Sequence, residues 1–444
     1  MMRGVRSLLI LLVIAVALGW YAWRDSQRPA GDDGPSRDQV FAVKAERIDE
    51  IAIRSEAGEQ TRLQKSGEQG WQIVAPTTAP PDPAEVSGLT SNLARLEIQR
   101  VVDENPPDLN EYGLAQPRVE VAFKADGEEH RLLLGSKTPP GTEVYAKRGA
   151  DNAVFLISSY LESTFNRSTF ELRDKTVLKV ERDKLDAVEL TTGGRTVRFA
   201  RADGEWRMTA PVPARADFSA VEGLVSRLSG LQMRSVIEDP AAARKAGLEK
   251  PVATARLGFG SSQATLAFGA PAEDGAVHAR DLSRPVVFTV DASILDDLKK
   301  TPAELRQKDL FDARSFNATH LEITQAGQTS TFEKARVKNA EGQEEDRWKQ
   351  TAPQERELEQ ASVDRLLSAV TGVRASGFVD AAPKALAAPS LSVVVRFDEG
   401  KKEERVGFAR TGTEAFAARA GEPGAARIEP DALEAITKAL QELK

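Results

Sequence analysis

The chain has 444 residues, no cysteine, and a net charge of −7 with acidic and basic side chains spread throughout. That composition excludes disulfides, thiolate nucleophiles, Cys-ligated metals and a lipid attached through cysteine, and an acidic balance with both signs interspersed argues against a nucleic-acid surface. The length accommodates several domains, each large enough for its own core.

Residues Leu8 to Leu18 are uninterrupted apolar, and Gly19 to Trp23 extend the charge-free run that begins at Ser7 to seventeen residues. That is the lower limit for spanning a bilayer. Arg3 and Arg6 precede the run, while Arg24 and Arg28 beyond it are diluted by Asp25, Asp32 and Asp33. The positive-inside rule then places the N-terminus in the cytoplasm and the bulk of the chain outside it. Trp20, Tyr21 and Trp23 cluster at the exit end, where amphipathic rings favour the headgroup layer. The expectation is a transmembrane anchor over 1–24, in the inner membrane through residues 5–23. A cleaved signal peptide is the rival, with small residues at Ala17 and Gly19 around a cleavage site. Residues 25–40, rich in Pro, Gly and Asp with little to bury, read as a flexible linker reaching ~20–25 Å.

Beyond the linker the chain repeats. A tryptophan followed by x-x-x-Ala-Pro occurs at Trp71, Trp206 and Trp348, spaced 135 and 142 positions apart. After each comes an apolar series with spacing 3, 4, 3: Val86, Leu89, Leu93, Leu96; Val221, Leu224, Leu228, Leu231; Val363, Leu366, Val370, Val373. That period puts all four on one face of a helix. Asp82 and Asp217 are its expected caps, with Pro83 at the first helical position and Glu85 completing a capping box; Glu359 is a poorer cap. Three repeat units are expected, over 41–176, 177–310 and 311–444.

Each unit opens on an alternating strand, from Ile48, Leu185 and Thr319, followed by a hairpin partner and the Trp segment as a third strand. The proline after Ala stops that strand, and the Trp belongs in the core over the helix. A Gly-containing loop, YGLAQP from Tyr112 and AGLEKP from Ala246, calls for a positive φ at its glycine; LAAP from Leu386 matches it weakly. Two hairpins and a short helix close each unit. An acidic insertion, KNAEGQEED from Lys338, reads as a solvated hairpin tip. The fold class is α+β: three tandem units of mixed or antiparallel sheet plus helix.

The first two units share an exit phrase, LRDK from Leu172 and LRQK from Leu305, and the third ends without it. Arg173, Lys175, Arg306 and Lys308 are therefore expected to join or cap units. The three histidines, His130, His278 and His320, lie too far apart in sequence for a metal-ligand motif and are expected as satisfied strand residues. GSKTP from Gly135 lacks the order of a phosphate loop and reads as a turn. No Gly-x-Ser-x-Gly elbow marks a nucleophile. No catalytic, cofactor or metal residue is assigned.

IDEIAI, the W-x-x-x-AP block, its helix, YGL-x-x-P, LLLGSKTP and YAKR together resemble the bacterial family named domain of unknown function 4340. The resemblance covers essentially everything after residue 40 and is best in the first two units. It implies membrane-tethered proteins without an assigned catalytic site, associated with ABC-type transporters and with motility or polysaccharide-export machinery. The expected function is a non-catalytic accessory or scaffold subunit of an ABC transporter, touching its permease or ATPase, or of an envelope or motility complex. The alternative is an extracytoplasmic binding module for an envelope polymer or peptide, for which Tyr145 and Phe416 would be recognition positions if exposed in a concavity. A hydrolase would need convergent carboxylates or histidines.

Overall fold

A computed structural model describes residues 38–67, 70–149, 151–338 and 343–443. The expected anchor (1–24) and all but the last three residues of the expected linker (25–40) lie outside the described residues, as do residues 339–342 of the insertion. Among the described residues no helix is long and apolar enough to cross a membrane.

The first sheet consists of β1 (Ile48–Arg54), β2 (Gln60–Ser66), β3 (Gly70–Ala75), β4 (Arg100–Asp103), β5 (Val119–Ala125), β6 (Glu128–Lys137), β7 (Glu143–Arg148) and β8 (Val154–Ser158). Its spatial order is β3-β2-β1-β5-β6-β7-β8-β4. The second holds β9 (Ala187–Thr192), β10 (Arg195–Ala202), β11 (Glu205–Ala210), β12 (Ala214–Arg215), β13 (Ser235–Ile237), β14 (Ala253–Phe259), β15 (Ser262–Pro271), β16 (Ala276–Asp281) and β17 (Val287–Asp291). The third holds β18 (Ala318–Gln325), β19 (Gln328–Lys338), β20 (Glu344–Ala352), β21 (Arg356–Glu357), β22 (Ala375–Val379), β23 (Leu391–Phe397), β24 (Lys402–Thr411), β25 (Glu414–Arg419) and β26 (Ala425–Ile428). The orders match: β12-β11-β10-β9-β14-β15-β16-β17-β13 and β21-β20-β19-β18-β23-β24-β25-β26-β22. The ladders are antiparallel. The residues fall into two compact units divided between Lys175 and Thr176, the first sheet in one and the second and third in the other.

Alternation sets the faces. On β1, Ile51 and Ile53 are buried while Glu50, Ala52 and Arg54 turn outward, the period of a half-covered strand. On that outer face charges pair across strands: Lys124 with Glu50 at 2.8 Å and Arg131 with Glu120 at 3.1 Å.

The Trp helices are α1 (Pro83–Ala94), followed in the first unit by α2 (Tyr160–Phe165) and α3 (Thr169–Leu172). The second sheet has α4 (Phe218–Ser229), α5 (Pro240–Lys245), α6 (Ile294–Leu298) and α7 (Pro302–Leu305), and the third α8 (Gln360–Thr371) and α9 (Pro430–Glu442). The 3, 4, 3 series is buried on each Trp helix: Val86, Leu89 and Leu93; Val221, Leu224 and Leu228; Val363, Leu366 and Val370. Asp82 accepts from the Ala84 amide and Asp217 from that of Ala220. Glu85 makes no capping box and pairs with Arg167 at 3.4 Å, because Asp82 already serves the second turn position and the guanidinium is a stronger partner. Glu359 caps no helix amide.

Trp206 and Trp348 are buried and Trp71 is half-buried against the first core. Gly113 and Gly247 sit at φ +66° and +73°. Gly135 of the GSKTP segment packs under the YGL loop, where a Cβ would fall 2.1 Å from the Tyr112 carbonyl oxygen; Gly269 meets Ala246 in the same way at 1.9 Å.

Candidate functional site: a charge-locked joint

The exit phrase of the second repeat leads into a cluster of buried and half-buried charge. Thr301 caps α7 in a reciprocal box with Glu304, and Leu305 is fully buried, which fixes the direction in which the next residue leaves. Arg306 then bridges to Ala216, and the Gln307 amide donates to the Arg215 carbonyl at 3.0 Å. Two arginines thus stand at the edge of the second sheet. The third sheet answers with Glu404 on β24, Arg419 at the end of β25 and Glu422 in the turn beyond, while Asp312 comes from the connecting segment.

Arg215 Nε donates to Glu422 at 2.7 Å, its Nη1 to Asp312 at 2.5 Å and its Nη2 to the Asp309 carbonyl at 2.8 Å. Arg306 reaches the other Glu422 oxygen at 3.4 Å, and its guanidinium lies 3.8 Å from the Phe378 ring centroid. Arg419 binds Glu404 at 2.5 Å and Glu422 at 3.4 Å. Glu404 also accepts the amides of Asp312 and Ala313 at 3.0 and 3.2 Å. Three cations face three anions, with Arg306 only 6% and Glu404 3% exposed at the side chain.

Burial pushes the Arg306 pKa down, and Glu422 only partly opposes it. For Arg215 burial acts in the same sense, but Asp312 and Glu422 outweigh it and the pKa is raised. Burial would raise the Asp312 carboxyl; Arg215 and Arg419 overcome that and hold it below the ordinary carboxylate range. The six charged groups are engaged with one another, while Arg306 Nε and Arg419 Nε are buried without a hydrogen-bond partner. The cluster's chemistry is that of a lock: charges taken out of water are tolerated in one arrangement and penalised in others.

The remaining expected positions are separate. Arg173 bridges to Pro81, and Lys175 donates to the Glu171 carbonyl at 3.0 Å and lies over Phe170, so both serve the end of their own unit. The Lys308 carbonyl accepts from the Ala375 amide at 2.7 Å. His130 stacks on Phe123 with centroids 5.0 Å apart, His278 bonds the Ala270 carbonyl at 2.9 Å, and His320 lies 3.5 Å from Glu333. Neither Tyr145, half-buried edge-on against Tyr112, nor Phe416, buried, is an exposed platform. Among the described residues no three His, Cys, Asp or Glu side chains group as metal ligands.

Leu443 is buried and follows Glu442, as Leu172 follows Glu171 and Leu305 follows Glu304. That Glu-Leu pair sits on short helices in the first two units and at the end of the continuous α9 in the third. Glu404 and Glu422 had no sequence signal, since Arg306 meets Glu422 across 116 residues.

A family model described as a domain of unknown function, DUF4340, matches residues 71–205 and 206–389. The chain belongs to this family. Each matched segment begins on a Trp of the W-x-x-x-AP block, so its boundaries fall inside the sheets, at the third strand, rather than between them. No curated protein matches. Solved structures matched include the DNA polymerase sliding clamp from Pseudomonas aeruginosa, at 6% identity over 88% of this chain and 93% of that one with a TM-score of 0.16. Its complex with griselimycin matches at 7% identity over the same shares, with a TM-score of 0.16. At that score the likeness carries no argument.

Proposed function

We propose that this chain is a non-catalytic scaffold, tethered to the inner membrane by its N-terminal apolar run and working outside the cytoplasm as an accessory subunit of an ABC-type transporter or envelope complex. The observation that carries the reading is the charge lock between the second and third sheets. A binder that recognises one ligand with one domain gains nothing from a rigid joint between two; a strut that must hold two surfaces at a fixed separation does. Fixed spacing also raises the effective concentration of a second weak contact once the first is made. The seventeen-residue charge-free run supports the membrane attachment.

The test is to solubilise the full-length protein from native membranes in mild detergent and identify what copurifies, beside a version whose first 24 residues are replaced by a cleavable leader. Recovery of a permease or ATPase that depends on both the anchor and Arg306 is the expected result. A partner recovered equally with Arg306→Ala would remove the rigid joint from the explanation, and a clean, partnerless protein would overturn the scaffold reading.

A further inference from the structure

The same cross-strand row can be followed through all three sheets, and in one of them its chemistry changes. In the first sheet Arg100, Leu156 and Tyr145 lie side by side on β4, β8 and β7. In the third the row is Gly377, Arg427 and Phe416, with the Arg427 guanidinium over the Phe416 ring. In the second it is Ser235, Thr289 and His278. The first and third sheets fill this place with an aromatic ring; the second leaves it to small polar side chains, and a hollow of about 580 Å³ opens beside them. That volume lies within the range of small-molecule sites.

We infer that the hollow beside His278 binds a small hydroxylated molecule carrying a single carboxylate. The donors and acceptors define the class. The Ala270 carbonyl, 2.9 Å from His278 Nδ1, can only accept, so Nδ1 carries the hydrogen of that bond and Nε2 is the ring nitrogen left to meet a ligand hydroxyl. Ser235 Oγ and Thr289 Oγ1 stand 2.7 Å apart and use one hydroxyl hydrogen between them, which leaves the other to donate. Arg234 lines the same hollow, its Nη1 tied to the Asp274 carbonyl at 2.8 Å, so the cation is held at the rim. A guanidinium and a hydroxyl donor suit a carboxylate, and an imidazole nitrogen beside them suits a ligand hydroxyl. Glu273 and Asp274 also line the hollow and disfavour a dianion such as a phosphate ester. No Phe, Tyr or Trp lines it, so hydrogen bonds rather than ring stacking do the recognition. A free sugar acid and a uronate residue within a glycan share this chemistry.

The experiment titrates the full-length protein in detergent with D-galacturonate, a trigalacturonate and neutral D-galactose, by calorimetry. Saturable binding of galacturonate, with galactose at least tenfold weaker, is expected. His278→Tyr, which copies the first sheet, and Arg234→Gln should each weaken galacturonate at least tenfold. Trigalacturonate binding tenfold tighter than the monomer identifies a glycan as the source, and equal binding a free acid; either supports the site. No saturable binding, equal binding of galactose, or affinity unchanged in Arg234→Gln overturns it. Hydrogen exchange of β16 and β17 reports whether His278→Tyr remains folded, and if it does not, the exposed Arg234→Gln decides.

Discussion

The second and third sheets share one strand order, and each takes a tryptophan into its core, but they secure that tryptophan by different means. Trp206 donates its indole N–H to Glu222 on α4 at 2.8 Å. Trp348 is instead gripped through its backbone: the Gln360 side chain accepts from its amide at 2.9 Å and donates to its carbonyl at 3.1 Å. Their closing segments differ too, since a capped turn separates α6 from α7 whereas α9 runs unbroken to bury Leu443. The apolar alternation determines which side chains enter the core, and any local chemistry that satisfies the polar groups around them is acceptable.

Removing either ring tests the shared part. Trp206→Ala and Trp348→Ala should each cost ~3–5 kcal/mol in denaturant unfolding, the cavity term for a large buried aromatic. The phenylalanine variants separate the two: Trp206→Phe should cost ~1 kcal/mol more than Trp348→Phe, because it also removes the hydrogen bond to Glu222. Equal losses would break the distinction.

The joint is where the two sheets contribute unlike parts, cations from one and a mixed set from the other. Arg306→Ala should cost about 2 kcal/mol by removing one of the three cations around Glu422, which keeps Arg215 and Arg419, while Arg306→Met, which keeps an apolar stem against Phe378, should cost less. Acid should loosen the same joint. The folded Asp312 carboxyl lies below its unfolded value, so its contribution is complete above the ordinary carboxylate range and is lost as pH falls through the folded pKa. Unfolding followed from neutral pH into acid should show that slope, and Asp312→Asn should flatten it.

The repeat, the helix faces and the strand character of the Trp segments were legible because each rests on spacing along the chain, as Val221, Leu224 and Leu228 illustrate. The joint was half legible: Arg306 stood out in a repeated phrase, but its partner Glu422 lies in a turn with no repeated neighbour and is brought near only by tertiary packing. Tyr145 and Phe416 would be recognition positions only if exposed in a concavity, and the first is half-buried while the second is buried. Their row mattered through its third member, His278, whose difference from two aromatics becomes visible only when registers across β16 and β17 are aligned.

The smallest effect is also the most local. Thr301→Ala removes the box that Thr301 and Glu304 close at the start of α7, with 2.7 Å from the Thr301 amide to Glu304, and should cost ~1 kcal/mol. Arg306 leaves this turn one residue after Leu305, so faster hydrogen exchange at 302–307 should be accompanied by weaker protection of β12, which the Gln307 amide ties down through Arg215. Among the described residues the helices of the third sheet have no such box, and exchange in α9 should not change. If α9 responds as α7 does, the two ends are coupled through the joint, and the capped turn is then part of the lock itself.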